Sequence, residues 1–293
     1  MNKNSYEPLV KNNLEMNHSL AKFRRNIRAD VNNFSYWFPS IEDFLIFSDP
    51  FIENDIQSEI YLPKSYIIDI PSNVVDHFAM ENPNTDHQII LDFVNDTIMP
   101  IIKKYFPKQD IFLKNGTFSN KFDFNHSCHI FSTDNSNDIA KKIENLEYAS
   151  ICLDTGGFYE LILREYIHPK TNYSIYNGMP LRPEVRIFYD FDKHKLLYHV
   201  NYWDWDYCHE RICDDLNDKK VYEKNYKEIT SKLNSLIEKY LPIIENRLKY
   251  CTTLRDKWSI DFLFEDDKCY LIDMALAKQS AYWKEKENQE TKN

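Results

Sequence analysis

Hydrophobic and polar positions along the chain alternate in stretches of two distinct periods. From His87 to Tyr105, Ile90, Phe93, Val94, Ile98 and Ile101 recur at helical spacing, and Pro107 stops the pattern. Glu223 to Tyr240 repeats the signal, with Tyr226, Ile229, Leu233, Leu236, Ile237 and Tyr240 on one stripe; Pro242 is expected to begin a further turn or short helix. Asp138 to Leu146 reads as a shorter helix with an acidic start. Strand-like runs are Ile60–Leu62, Tyr66–Ile70, Ile111–Leu113, Leu161–Leu163, Val185–Tyr189 and Leu196–Asn201. Trp258–Met274 reads as a hairpin, with two apolar runs separated by Glu265-Asp266-Asp267-Lys268. Phe34–Phe47 holds a dense aromatic group, Tyr36, Trp37, Phe38, Phe44 and Phe47, most simply read as core.

Charges inside the apolar runs change the picture. Arg164 ends one strand and Arg186 sits within another; a half-buried arginine needs an anionic partner. If the two strands pair, both arginines serve one polyphosphate; otherwise each pairs with a carboxylate of the chain. Asp261 and Asp273 interrupt the two arms of the terminal hairpin. Two hard carboxylates on adjacent strands suit Mg²⁺ that also binds phosphate, and ion pairs to Arg164 or Arg186 are the plainer alternative. Lys114 closes a strand before the small-residue turn Asn115-Gly116-Thr117, and Lys121 follows seven residues later. Such a turn can aim backbone N–H groups at an anion or simply join two strands. It is not a P-loop, because the GxxxxGK[ST] spacing is absent. The Tyr202–Asp206 run, with two tryptophans and two aspartates, either lines a pocket or caps the core edge.

Composition narrows the class. A chain of 293 residues with 43% hydrophobic content supports one large domain or two modest ones. The net charge of −10 argues against general nucleic-acid binding. Six cysteines without a CxxC indicate reduced thiols rather than a zinc site or disulfide framework. No run is apolar enough to span a membrane and no signal-peptide core is present, so a cytoplasmic protein is expected; it is also expected to be a monomer. All four glycines lie between positions 116 and 178. Ala21–Val31 carries Lys22, Arg24, Arg25 and Arg28 on a possible short basic helix, most simply a solvated face.

Taken in order, these features resemble the ATP-grasp fold, and most closely the cell division cycle protein 123-like family. The Lys114 to Lys121 loop is similar to that family's basic loop. Leu161-Ile162-Leu163-Arg164-Glu165-Tyr166-Ile167 is similar to its inter-lobe strand and hinge, and Glu184-Val185-Arg186-Ile187-Phe188 to its Glu-x-Arg strand. Asp261 and Leu271-Ile272-Asp273 match its closing hairpin, and Phe34–Pro39 is similar to its Phe-x-x-Trp-Tyr-Pro. The resemblance covers about residues 34–275. It departs where the family has Asp-x-Asn, since this chain has Asp273-Met274-Ala275, and where the family has Gln-Arg-Asp, since here Asn201-Tyr202-Trp203-Asp204 lacks the arginine.

The resemblance implies an α+β, ATP-grasp-like fold with nucleotide between two lobes. The expected organisation is a polar segment 1–33, an N-terminal lobe 34–110, a nucleotide-binding core 111–283 and a disordered tail 284–293. Lys114 and Lys121 would contact phosphates, and the backbone of Glu165, Tyr166 and Ile167 the adenine. Arg164 and Arg186 would neutralise phosphate charge, and Asp261 and Asp273 would hold Mg²⁺. The implied function is that of an ATP–Mg²⁺-binding assembly factor for translation initiation factor two, acting on its gamma subunit. An ATP-dependent carboxylate–amine ligase and a non-catalytic protein-binding scaffold are the alternatives.

Overall fold

The computed structural model describes residues 29–46, 60–79, 87–155, 159–212 and 215–284. The basic residues Lys22, Arg24, Arg25 and Arg28 and the expected tail from residue 285 onward lie outside them. The fold is α+β. Helices and strands come in mixed order, and the chain divides into two compact units that alternate along the sequence. One takes residues through Asn33, Tyr66–Asn120 and His126–Leu163; the other takes Phe34–Ser65, Lys121–Asn125 and everything from Arg164. The expected boundary between residues 110 and 111 falls inside the first unit.

The first unit is built on a four-stranded sheet of β2 (Ser65–Asp69), β3 (Ile111–Asn115), β4 (His129–Ile130) and β5 (Glu160–Glu165), in the order β2-β5-β3-β4. The end of β5, Arg164 and Glu165, counts with the second unit. Ile111, Leu113, Leu161 and Leu163 share one buried cluster with Ile90, Phe93, Val94 and Ile98. Val74 and Val75 of the short helix α2 (Ser72–Ala79) belong to the same cluster. The run from His87 is α3 (His87–Phe93), a π-helical turn (Val94–Ile98) and α4 (Met99–Tyr105), the last with Pro100 in its first turn. A single turn, α5 (Phe124–Ser127), precedes β4. The helix read from Asp138 runs as α6 (Ser136–Cys152). Asn135 caps it: its side chain accepts from the Asn137 and Asp138 N–H groups while Asp138 reaches back to the cap.

The second unit centres on a five-stranded sheet of β1 (Ile60–Tyr61), β8 (Glu184–Asp190), β9 (Lys195–Asn201), β10 (Lys257–Glu265) and β11 (Lys268–Leu276). Their order is β1-β11-β10-β8-β9. β1 runs parallel to β11; the other pairings are antiparallel. The expected hairpin is β10–β11, closed by Asp266 and Asp267, both at positive φ (55° and 57°), as a two-residue turn with right-handed strand twist requires. A long helix, α8 (Leu216–Leu248), packs against β8 and β9, with Tyr222, Ile229 and Leu233 buried. Pro242 lies inside this helix rather than starting a new element. An interior proline removes one helical hydrogen bond and costs about 3 kcal/mol. Ile244 and Leu248 are buried beyond it, so tertiary packing carries the helix through. Among the described residues, no helix is long and apolar enough to cross a membrane.

Of the two readings left open for the arginine strands, direct pairing is not realised. β5 and β8, which carry Arg164 and Arg186, do not pair; they belong to different sheets. The connection between them, residues 166–183, contains its own small hairpin, β6 (Ser174–Ile175) and β7 (Met179–Pro180), which uses the turn that a β5–β8 hairpin would need.

Candidate functional site

β8 has the period of a strand with two unlike faces. Val185, Ile187 and Tyr189 point to the apolar side, so Glu184 and Arg186 share the other. Register then decides what they meet. Arg186 lies opposite Asp261 on β10, and Asp261 lies opposite Asp273 on β11. Tyr202, one residue past β9, donates its backbone N–H to the Glu184 carbonyl (3.0 Å). Glu184, Arg186, Tyr202, Asp261 and Asp273 therefore occupy neighbouring places on one sheet face.

Arg186 grips Asp261 with two parallel bonds, Nε to Oδ1 and Nη2 to Oδ2, each 2.7 Å. Bidentate pairing of this kind is the strong form of a charge-assisted hydrogen bond. The side chains retain only 14% and 4% of their exposure. Burial works against the Arg186 charge, but Asp261 outweighs it and holds the guanidinium above its ordinary pKa. Lys121 enters from a single 3₁₀ turn (Lys121–Asp123). Its Nζ donates to the Tyr202 hydroxyl at 3.1 Å and lies 3.5 Å from Glu184 Oε1. Burial opposes the Lys121 charge as well, and Glu184, Tyr202 and Asp261 together raise its pKa above the usual lysine value. Burial also raises the Glu184 carboxyl, against the pull of Lys121.

Directly opposed carboxylates on neighbouring strands repel one another. At Asp261 and Asp273 the register also slips: Asp261 faces Asp273 and Phe262 faces Leu271, leaving Ile272 as an extra residue. Such a bulge frees backbone groups from the ladder. The Ile272 carbonyl accepts from Arg164 Nη1. Arg164 is otherwise held by Ser65 Oγ (3.3 Å from Nε) and by the Phe34 ring, 4.8 Å from its guanidinium carbon. Burial brings its pKa down to about 10, with Asp273 partly restoring it. Phe34 comes from α1 (Phe34–Ile46), where it packs on Trp37 and Phe38. Trp37 and Phe38 are core, as read from the sequence, whereas Tyr36 is exposed; the Phe44 side chain and Phe47 lie outside what is described. Phe34 also supports an arginine of the site.

Lys121, Arg164, Arg186, Asp261 and Asp273 are thus gathered in the second unit. For Asp261 the ion-pair alternative is realised, and its partner is Arg186. Lys114 belongs to β3 of the first unit and is 1% exposed. The turn after it is closed on itself. Asn115 Oδ1 accepts the N–H groups of Thr117 (3.0 Å) and Phe118 (2.6 Å), so these two face a side chain rather than an anion. At and just beyond the end of β5, the Glu165 N–H bonds the Lys64 carbonyl (2.8 Å) and the Ile167 carbonyl accepts from Arg182 Nη1 (2.6 Å). Tyr166 is buried and packs edge-on against His168. In the Tyr202–Asp206 run, Asp204 caps the short helix α7 (Trp205–Arg211), and Trp205 stacks on His209 and Tyr222.

The sequence places Glu184 in a Glu-x-Arg strand and Tyr202 in a run that lines a pocket or caps the core edge, without assigning either a binding role. The signal for Glu184 was its i, i+2 spacing to Arg186 inside an apolar strand. Within its run nothing sets Tyr202 apart from the tryptophans, and its partner Lys121 is 81 residues away.

Gly116 meets a close approach of another kind. A Cβ there would lie 2.5 Å from Asn33 Oδ1 and 2.7 Å from Glu160 Oε1, both buried. Gly116→Ala is expected to destabilise the protein by about 1–3 kcal/mol through overpacking. Chemical denaturation measures this, and a change under about 0.5 kcal/mol, the usual size for an uncrowded surface position, would show that both neighbours yield freely.

No family model matches this sequence, and no curated protein does. Among solved structures, the chain is similar to Cdc123 from Schizosaccharomyces pombe, at TM-score 0.48 and 16% identity, covering 89% of this chain and 91% of that one. It is similar to a C-terminally truncated Cdc123 from the same organism at TM-score 0.48 and 15% identity, covering 84% and 83%.

Proposed function

We propose that this chain binds ATP with Mg²⁺ as an ATP-grasp-type protein, holding the phosphates at Lys121, Arg164 and Arg186, and works as an assembly factor for a protein partner. The observation that carries the reading is the opposition of Asp261 and Asp273 between Arg186 and Arg164. Four cations, Lys121, Arg164, Arg182 and Arg186, stand against four carboxylates, Glu184, Asp261, Asp273 and Glu265. A bare anion would have to displace carboxylates from this balanced set. A ligand carrying both phosphate oxygens and a divalent cation can re-pair both signs at once.

The residues fit Mg²⁺ as a shared site. Among the described residues no third His, Cys, Asp or Glu joins the two aspartates at metal-binding spacing. Mg²⁺ commonly takes one or two carboxylates and completes its shell with phosphate and water. When bound, it supplies neutralisation between phosphate and carboxylate oxygens. The protein's own part is to orient the phosphates with Lys121 and the arginines.

Binding without turnover is favoured over ligation. Asp261 has both oxygens on Arg186, and Ala275 offers a methyl group where the resembled family has a ligating Asn. The partner class, with the gamma subunit of translation initiation factor two as its specific form, rests on the ordered motifs from Phe34 to Asp273.

Calorimetric titration with ATP, with and without Mg²⁺, tests the reading. The parent is expected to bind, with Mg²⁺ tightening ATP and ATP tightening Mg²⁺ by the same factor. Lys121→Ala should weaken ATP by at least about tenfold, the value of one charge-assisted contact. Asp273→Asn should remove most of the Mg²⁺ effect. No ATP binding would leave the scaffold reading, and hydrolysis coupled to an acceptor would favour the ligase.

A further inference from the structure

Tyr202 is held as firmly as the charged residues around it. Its N–H bonds the Glu184 carbonyl at 3.0 Å, and its own carbonyl accepts from the Tyr282 hydroxyl at 3.1 Å. Two cations converge on its side chain. Lys121 Nζ lies 4.4 Å from the ring centroid, and the Arg186 guanidinium carbon lies 5.1 Å away. A neutral aromatic ring attracts a cation through its quadrupole, so one ring within reach of two cations holds both without cancelling either charge. A carboxylate in the same place would neutralise them.

The hydroxyl adds a second function. It accepts a hydrogen bond from Lys121 at 3.1 Å, which leaves its own hydrogen for donation. Among the described residues that hydrogen has no acceptor. Burial raises the Tyr202 pKa above the usual phenol value, against the influence of Lys121, so the proton stays on the oxygen. Tyr202 as a residue is half-buried and Lys121 keeps 16% of its side-chain exposure, so the pair is not sealed from solvent.

We infer that Tyr202 is a ligand-binding and positioning residue of this site: its ring sets Lys121 and Arg186 in place, and its hydroxyl donates to an oxygen of a bound polyphosphate. This rests on the anion-binding part of the proposed function but not on the nucleotide's base. An arriving phosphate chain meets an ammonium, a guanidinium and a neutral phenol donor within one cluster. The phenol gives direction without adding charge to the balanced set of cations and carboxylates.

The test uses the full chain, two probes and two variants. Tyr202→Phe keeps the ring and loses the hydroxyl; Tyr202→Leu loses both. The probes are ATP with Mg²⁺ and inorganic tripolyphosphate with Mg²⁺, measured by calorimetry. Tyr202→Phe is expected to weaken both by about tenfold, as loss of a hydrogen bond to a charged group does, with its unfolding midpoint unchanged. Tyr202→Leu should weaken them further. It should also speed acetylation of Lys121 by a limiting reagent, read by peptide mass spectrometry, because the ammonium is no longer held on the ring. If Tyr202→Phe binds both probes as the parent does, the inference is overturned while the nucleotide reading stands. If the parent binds tripolyphosphate but not ATP, the nucleotide reading falls and the tripolyphosphate series alone decides Tyr202. If the parent binds neither, both are overturned.

Discussion

Replacing Asp261 with Ala is expected to destabilise the protein by about 3–5 kcal/mol, because it strands a buried guanidinium. Arg186 has 14% of its side chain exposed and places two 2.7 Å bonds on this one carboxylate. Its further bond, from Nη1 to the Ala281 carbonyl, is long at 3.4 Å and cannot substitute. The pair itself is worth much less than that loss, since both partners give up hydration to meet. The double replacement Arg186→Met with Asp261→Val should therefore recover most of the stability. Urea denaturation of the parent, both single variants and the double variant gives the coupling directly. A cost below about 1 kcal/mol for Asp261→Ala, the level of an exposed pair, would mean that Arg186 finds another partner and that the pair does not organise this face.

The elements around that pair were readable to unequal degrees. The hairpin was legible because alternation, a charged turn and a second apolar run are all local. Asp261 and Asp273 do face each other, as a tight closure of that hairpin allows. The bulge at Ile272 was not legible. It depends on one skipped pairing, and an isoleucine there looks like any other apolar strand residue. Without the bulge, Arg164 has no visible reason to meet β11. The strand pieces around Pro63 were also read correctly one by one, yet β1 joins β11 of one sheet and β2 joins β5 of the other. Periodicity tells which face a residue shares with its near neighbours. It carries no information about which distant strand lies beside it.

The same limit explains the loop after Lys114. Its composition fits both an anion nest and a self-closed turn, because Asn, Gly and Thr favour either. What decides between them is the Asn115 side chain, fixed by Ser150 Oγ at 3.1 Å, on a helix 35 residues further on. Tyr202 is the complementary case. Its role comes from Lys121 and Arg186, one reached through a distant turn and the other through strand register, and no window of sequence contains all three.

Glu147→Gln is expected to flatten the dependence of stability on pH. Glu147 lies on the inner side of α6, fully buried, and neither carboxyl oxygen has a hydrogen-bond partner among the described residues. Burial pushes its pKa well above the ordinary carboxylate value, and the nearby Asn115 amide offsets only part of this. The sign follows from proton counting. Below the unfolded value, near 4.5, both states hold the proton and the group exerts no pH effect. As pH rises past that value the unfolded chain loses its proton while the folded chain keeps it, so folding is progressively disfavoured. The loss continues until the folded pKa is reached and then levels off. Each unit between the two pKa values removes about 1.4 kcal/mol. Gln cannot ionise, so the variant lacks this slope while filling nearly the same volume. Its advantage over the parent should be smallest near pH 4 and should grow toward neutral pH. Comparing the two denaturation series point by point cancels every other titrating group and any constant cost of the amide. Parallel curves from pH 4 to 8 would show that Glu147 ionises equally in both states, through contacts that relieve its burial.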